Sequence, residues 1–231
     1  MLWDIGNVIV RWSPATLYSK IFPDPVERDR FLTSVCTMDW HMAHDRGVTF
    51  AENRKPLLAQ HPHYADQILA WEKRWSEMFS GAIPETEAAI DALHQRGVLQ
   101  YGLTNMSHET FDDTIAMSSA FGRLAGYVVS AHEGLMKPDP AIFQRVCDKF
   151  GLSPGDILFV DDSRKNIDAA EQFGFHVHHF TDPANLRPAL GPVEIWDSRI
   201  ELGVIQALDG TLCIDRRPMG ENATPLLGQA D

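Results

Sequence analysis

The chain has 231 residues, 44% of them hydrophobic and 23% charged, with a formal net charge of −12. That length fits one large domain or a core with a smaller insert, and the acidic balance argues against non-specific binding to nucleic acid or to anionic membranes. The three cysteines, Cys36, Cys147 and Cys213, form no CxxC pair and no zinc pattern, which fits a reducing compartment.

The chain opens on Leu2-Trp3-Asp4-Ile5-Gly6-Asn7-Val8-Ile9-Val10, two apolar runs broken by an aspartate, a glycine and an asparagine. An unpaired charge is costly to bury, so Asp4 either caps a turn after a strand or belongs to a chemical site. Only three residues precede it, so half of the expected strand is missing. A start codon assigned too far downstream accounts for this, and so does a short edge strand. The N-terminus carries no basic segment followed by a long apolar one, and no run approaches the roughly 18 apolar residues of a membrane span. The expected location is the cytoplasm.

Residues 13–80 have helical periodicity, many aromatics (Trp40, Trp71, Trp75, Phe79) and no convincing strand. They read as a helical insert, with its aromatics in a core. Elsewhere short apolar runs at 1–5, 98–103, 126–130, 156–160 and 175–180 read as strands. Helical patterns at 84–96, 107–118, 139–150 and 164–173 lie between them. This alternation predicts an α/β fold, a doubly wound parallel sheet covered by helices. Pro84 and Pro140 open two of the helices, and Gly97 and Gly151 close them. His176, His178 and His179 end a strand, and packing explains them better than metal binding. Residues 191–231 have little periodicity and read as a loosely ordered extension, with one short hairpin at Asp209-Gly210.

In a doubly wound sheet, ligands bind outside the carboxyl ends of the strands. Four such ends carry reactive side chains: Asp4; Thr104-Asn105; Lys137, in a loop after the third strand; and Asp161-Asp162, followed by Asn166. Neighbouring carboxylates repel unless a cation lies between them, and magnesium is a hard ion that takes oxygen ligands. Lys137 can offset negative charge and hold a phosphate, Thr104 can donate to phosphate oxygens, and a carboxylate nucleophile can form an acyl phosphate.

Together these residues resemble the haloacid dehalogenase-like hydrolase superfamily. Asp4-Ile5-Gly6-Asn7-Val8 looks like its first motif, Leu103-Thr104-Asn105 its second, Lys137-Pro138-Asp139-Pro140 its third, and Val160-Asp161-Asp162-Ser163 with Asn166 its fourth. The wording is similar to that of a branch of sugar-phosphate phosphatases. The resemblance implies a Rossmannoid core at 1–12 and 81–190, and a helical cap at 13–80 inserted after the first strand. It implies Asp4 as nucleophile, and Asp4, the Gly6 carbonyl and Asp162 as ligands of Mg2+. Thr104, Asn105 and Lys137 would hold the phosphoryl group, and Asp161 and Asn166 would support them.

The implied activity is that of a magnesium-dependent phosphatase for a small phosphate ester, through an aspartyl-phosphate on Asp4. Family phosphatases usually carry a second aspartate two positions after the nucleophile, as general acid; here that position is Gly6. Either the substrate has a good leaving group, or water or a residue of the insert supplies the proton, with His41, His44 and Asp45 as candidates. Trp12, Trp40 and His44 are placed in packing rather than against substrate. Two alternatives stand beside the phosphatase: a 2-haloacid dehalogenase using Asp4 on carbon, which Asp162 disfavours, and a non-catalytic binding protein on the same fold. Leu208-Asp209-Gly210-Thr211-Leu212 imitates the first motif, but Ala207 stands at the nucleophile position, so it reads as a turn.

Overall fold

Asp4 follows directly on the first strand, β1 (Leu2–Trp3), in a computed structural model that describes residues 1–190 and the backbone of 200–208 and 211–218. The chain then forms β2 (Val10–Trp12) and five helices: α1 (Pro14–Ile21), α2 (Pro25–Ser34), α3 (Met38–Asp45), α4 (Phe50–Gln60) and α5 (Ala65–Lys73). It returns through β3 (Phe79–Ala82), antiparallel to β2. Next come α6 (Pro84–Gln95), β4 (Tyr101–Thr104), α7 (Phe111–Ile115), β5 (Tyr127–Val129) and α8 (Ser130–Glu133). Then follow α9 (Pro140–Phe150), β6 (Leu158–Asp161), α10 (Arg164–Phe173), β7 (His176–His179) and α11 (Leu186–Ala189).

The main sheet is parallel, in the order β5-β4-β1-β6-β7. The two-residue β1 is therefore its central strand, and the expectation of a short edge strand is corrected. Leu2 pairs with Tyr101 on one side and with Phe159 on the other.

Alternation along the strands divides the core in two. Trp3, Val129, Leu158 and Val160 face one apolar cluster, which takes in Ile90 and Leu93 of α6. Leu2, Leu103, Val128 and Phe159 face the other, with Ile142, Phe143 and Val146 of α9 and Ile167 of α10. Both faces are covered, so the strands read as unbroken apolar runs. Trp3 is fully buried, and its indole Nε1 donates to Gln100 Oε1 at 3.0 Å. The Gln100 amide in turn donates to Ile90 O at 2.9 Å, which joins the central strand to α6.

Local chemistry sets the ends of these helices. Asp139 caps α9 by accepting from Ala141 N–H, Pro140 stands in its first turn, and Gly151 ends it in a left-handed conformation. The helix predicted at 107–118 is reduced to α7, because Ser118 caps a separate 3₁₀ turn at Ser119–Arg123. The strand β3 was not foreseen. Its Phe79-Ser80-Gly81-Ala82 has little apolar alternation, and its pairing with β2 supplies what the local sequence lacks.

The helices between β2 and β3 gather a third apolar cluster, around Tyr18, Phe31, Trp71 and Trp75. They are tied to the loops above the sheet. Glu109 Oε2 accepts the Phe50 N–H at 2.6 Å, and Ser130 Oγ donates to Asp45 O at 2.6 Å. Beyond residue 199, β8 (Ile200–Leu208) and β9 (Thr211–Pro218) pair antiparallel, with Leu208 opposite Thr211. The predicted turn Asp209-Gly210 lies outside the described residues, as do 191–199 and 219–231 of the extension. Among the described residues no helix is long and apolar enough to cross a membrane.

Trp3→Phe keeps most of the buried ring but leaves Gln100 Oε1 without its donor. The expected cost is about 1–3 kcal/mol, read as a lower urea midpoint at unchanged m-value.

Candidate active site

Three strands end on polar side chains at the same edge of the sheet. β1 leads into Asp4, β4 ends on Thr104, and β6 ends on Asp161, followed by Asp162. Lys137 reaches this edge from the loop between α8 and α9. Its backbone is clamped there: Asn105 Nδ2 donates to Lys137 O at 2.9 Å, and Lys137 N–H donates to Asn105 Oδ1 at 2.8 Å. The Asn105 side chain thus places Lys137 through its Oδ1 and one of its two amide N–H donors.

The Lys137 ammonium is 2% exposed and donates to three oxygens: Asp4 Oδ1 at 2.8 Å, Asp161 Oδ2 at 2.7 Å and Leu103 O at 3.1 Å. Burial disfavours its charge, but Asp161 and Asp4 outweigh that and hold its pKa above the usual lysine value. Asp161 has no exposed surface and is fully engaged. Its Oδ1 accepts from Ser163 N–H at 2.8 Å and from Asn166 Nδ2 at 3.0 Å. Its Oδ2 accepts from Asn166 Nδ2 at 3.1 Å as well as from Lys137. The predicted supporting pair Asp161 and Asn166 therefore meet directly.

Asp4 Oδ1 also accepts the Ile5 N–H at 2.7 Å. Burial pushes the Asp4 carboxyl well above its ordinary range; Lys137 pulls it back and Asp161 pushes it further up. Asp162 is exposed, and it too is raised, by partial burial and by Asp161. Carboxylate oxygens of Asp4, Asp161 and Asp162 all lie within 4.8 Å of one another. Two of these three acids pair with the one ammonium, Lys137. At such separations like charges repel by roughly 1–4 kcal/mol per pair, depending on local dielectric. The histidines of β7 lie outside this cluster; His179 Nε2 instead contacts Asp162 O at 3.1 Å.

Asp4, Gly6, Thr104, Asn105, Lys137 and Asn166 line one cavity of about 160 Å³. Thr104 is buried, and its hydroxyl has one long contact, 3.5 Å to Asn105 O. The opposite wall comes from residues flanking or within the helical insert: Trp12, Met38, His41, Asp45, Trp75 and Phe79. Trp12 packs against the insert cluster, as expected for it, and also lines the cavity, while Trp40 and His44 do not line it. The sequence named His41 and Asp45 without separating them from His44, and it offered no signal for Met38 or Trp75. The left-handed residue of the first motif is Asn7, at φ 57°, not Gly6. Asn7 Oδ1 accepts the Trp12 N–H at 3.0 Å and so closes the turn.

A family model described as haloacid dehalogenase-like hydrolase matches residues 17–174, a span that includes Thr104, Lys137 and Asp161 but begins after Asp4. An (S)-2-haloacid dehalogenase 4A from Burkholderia cepacia is 27% identical over 144 residues, 59% of this chain and 56% of that protein. A phosphoglycolate phosphatase from Pasteurella multocida is 33% identical over 123 residues, 47% of this chain and 52% of that protein. The chain thus matches these relatives over about half of their length. A HAD family enzyme from Bacteroides thetaiotaomicron, solved in complex with magnesium and inorganic phosphate, superposes with a TM-score of 0.60 at 19% identity. The superposition covers 77% of this chain and 91% of that one, a likeness of fold.

Lys137→Met leaves Asp4 and Asp161 buried without their shared cation and is expected to cost about 3–5 kcal/mol in chemical denaturation. Adding Asp161→Asn removes one stranded charge and should recover part of that loss, a coupling that a double-mutant cycle measures.

Proposed function

The chain belongs to the haloacid dehalogenase-like hydrolases, and we propose that it is a magnesium-dependent phosphatase acting on a small phosphorylated metabolite, with sugar phosphates among the candidates. The observation that carries this reading is the cluster of three carboxylates, two of them paired to one ammonium and the third, Asp162, without an ion pair to it. A phosphate dianion would meet a site already in excess negative charge. A divalent cation removes that conflict, and the hard oxygen donors suit it. Asp161 is taken up by Lys137, Asn166 and Ser163, so the residues that would hold magnesium are Asp4, the Gly6 carbonyl and Asp162. When bound, the ion neutralises charge on the transferring phosphoryl group.

The side chains of the cavity then have distinct tasks. Asp4 attacks phosphorus, the bond to the leaving oxygen breaks, and an aspartyl-phosphate forms. Water hydrolyses this intermediate, releasing phosphate and returning the Asp4 carboxylate. Lys137 keeps one positive charge 2.8 Å from the nucleophile throughout. Thr104, with no short bond of its own, donates to a phosphoryl oxygen, and Asn105 holds Lys137 in place. Residues 1–12 and 81–190 act as the catalytic core, and 13–80 as a cap that encloses the leaving group. The proposed partner is a small-molecule phosphate ester in the cytoplasm. A 2-haloacid substrate, itself an anion, would bring more negative charge to the three acids in a reaction that needs no metal ion to offset it.

The test is a panel of small phosphate esters and 2-haloacids, with and without chelator, on the wild type and on Asp4→Asn. Phosphate release is expected to stop on chelation and to fall at least about 10³-fold in the variant. Halide release that survives chelation would overturn the assignment.

A further inference from the structure

Three side chains on the insert side of the cavity carry buried polar atoms without a hydrogen-bond partner: Trp12 Nε1, His41 Nδ1 and Asp45 Oδ1. Buried polar groups are nearly always satisfied, so orphans grouped on the wall of one cavity point to a ligand that completes them. Of the three, only Asp45 is an acid. It is 6% exposed, and Met38, Trp12, Trp75 and Phe79 line the same space around it.

Asp45 is also firmly placed. Ser130 Oγ donates to its carbonyl at 2.6 Å and accepts the Met106 N–H at 2.9 Å, so one hydroxyl joins the end of α3 to the loop after β4. Gly47 lets the chain pass close to α8, since a Cβ there would stand 3.1 Å from Ala131 O, at a φ of 95°. The two histidines beside Asp45 are poorer proton donors. His44 has both ring nitrogens engaged, with Val48 O at 3.2 Å and Asn53 Nδ2 at 3.1 Å, and is not on the cavity. His41 is pushed down to about 3 by burial, and so stays neutral.

Gly6 faces the same cavity. An ideal Cβ at this position meets nothing within 4 Å, and its backbone is not left-handed. Neither packing nor conformation requires glycine there, so the missing side chain opens space between Asp4 and the insert.

We propose that Asp45 is the general acid for the leaving group, acting from the insert in place of a carboxylate at position 6. The inference rests on the phosphatase reading. As the Asp4 carboxylate bonds to phosphorus, the P–O bond to the alcohol breaks, and the leaving oxygen takes the Asp45 proton. In the second step the Asp45 carboxylate takes a proton from the attacking water. The P–O bond to Asp4 then breaks, releasing phosphate. Burial pushes the Asp45 carboxyl up to about 7, with Lys137 and Arg46 pulling the other way. His41 Nε2, 3.7 Å from Oδ1, and the Ser130 hydroxyl add no charge. The acid therefore holds its proton below about pH 7 and shares it with solvent near neutrality. A cavity of about 160 Å³, below the roughly 300 Å³ of sites for drug-sized ligands, suits a small leaving group.

The measurement is kcat/KM for a series of short alkyl phosphates and for acetyl phosphate, on the wild type, Asp45→Asn and Asp45→Asn/Gly6→Asp. Asp45→Asn is expected to lose about 10²–10⁴-fold on alkyl phosphates but less than about tenfold on acetyl phosphate, whose leaving group needs no proton. Wild-type activity on alkyl esters should fall as pH rises through about 7, where Asp45 loses its proton, and that limb should vanish in the variant. Gly6→Asp should restore part of the lost rate, which a merely structural role for Asp45 would not allow. Equal losses on both substrate types, or an unchanged pH profile, overturn the role of Asp45 while the phosphatase stands. A wild type that hydrolyses no ester overturns both.

Discussion

The Lys137 ammonium, shared between Asp4 and Asp161, is the interaction on which the rest of this site depends. Two acids at adjacent strand ends are costly to bury unless a cation lies between them. Asn105 holds the backbone that delivers this cation, and Asn166 with the Ser163 N–H holds the acid that receives it. Asp4 is left as the acid of the pair whose other contacts are lightest, at the head of the cavity.

This arrangement follows from the sheet. β1 is only two residues long, yet it is bonded on both sides, and its end carries Asp4 into the middle of the edge. β4 and β6 flank it: with Trp3 opposite Gly102 and Val160, Asp161 stands level with Asp4 and Thr104 one residue further along. Because both faces of the sheet are covered, the strand ends are where polar side chains reach space without disturbing a core. The helical insert then closes this edge from above. Glu109 and Ser130 fix it to the loops, and its apolar and unsatisfied side chains become the far wall.

On the proposed reading the two walls divide the chemistry. The sheet edge concentrates charge and suits a phosphoryl group with its cation. The insert wall is mostly apolar, with one acid, and suits a short leaving group. Gly6 lies between them and adds no side chain to either, which is why the acid proposed for the leaving group, Asp45, stands on the insert.

Much of this was legible in the residues themselves. Apolar runs alternating with amphipathic stretches gave a parallel sheet, since period and punctuation are local properties. The order of Asp4, Thr104, Lys137 and Asp161-Asp162 along those strand ends marked the site for the same reason. What needed the tertiary structure was everything set by contacts distant in sequence. That β1 is central and not an edge depends on pairing with residues about a hundred and more positions away. That β3 exists depends on β2. That Asn105 serves Lys137 depends on a bond spanning 32 positions. Asp45 and His44 are adjacent and equally plausible in the sequence; only packing puts one on the cavity with an unpaired oxygen and gives the other two partners. The sequence by itself determined which side chains are present at the strand ends, and the fold decided which of them meet, because burial and pairing belong to the assembled chain and not to its segments.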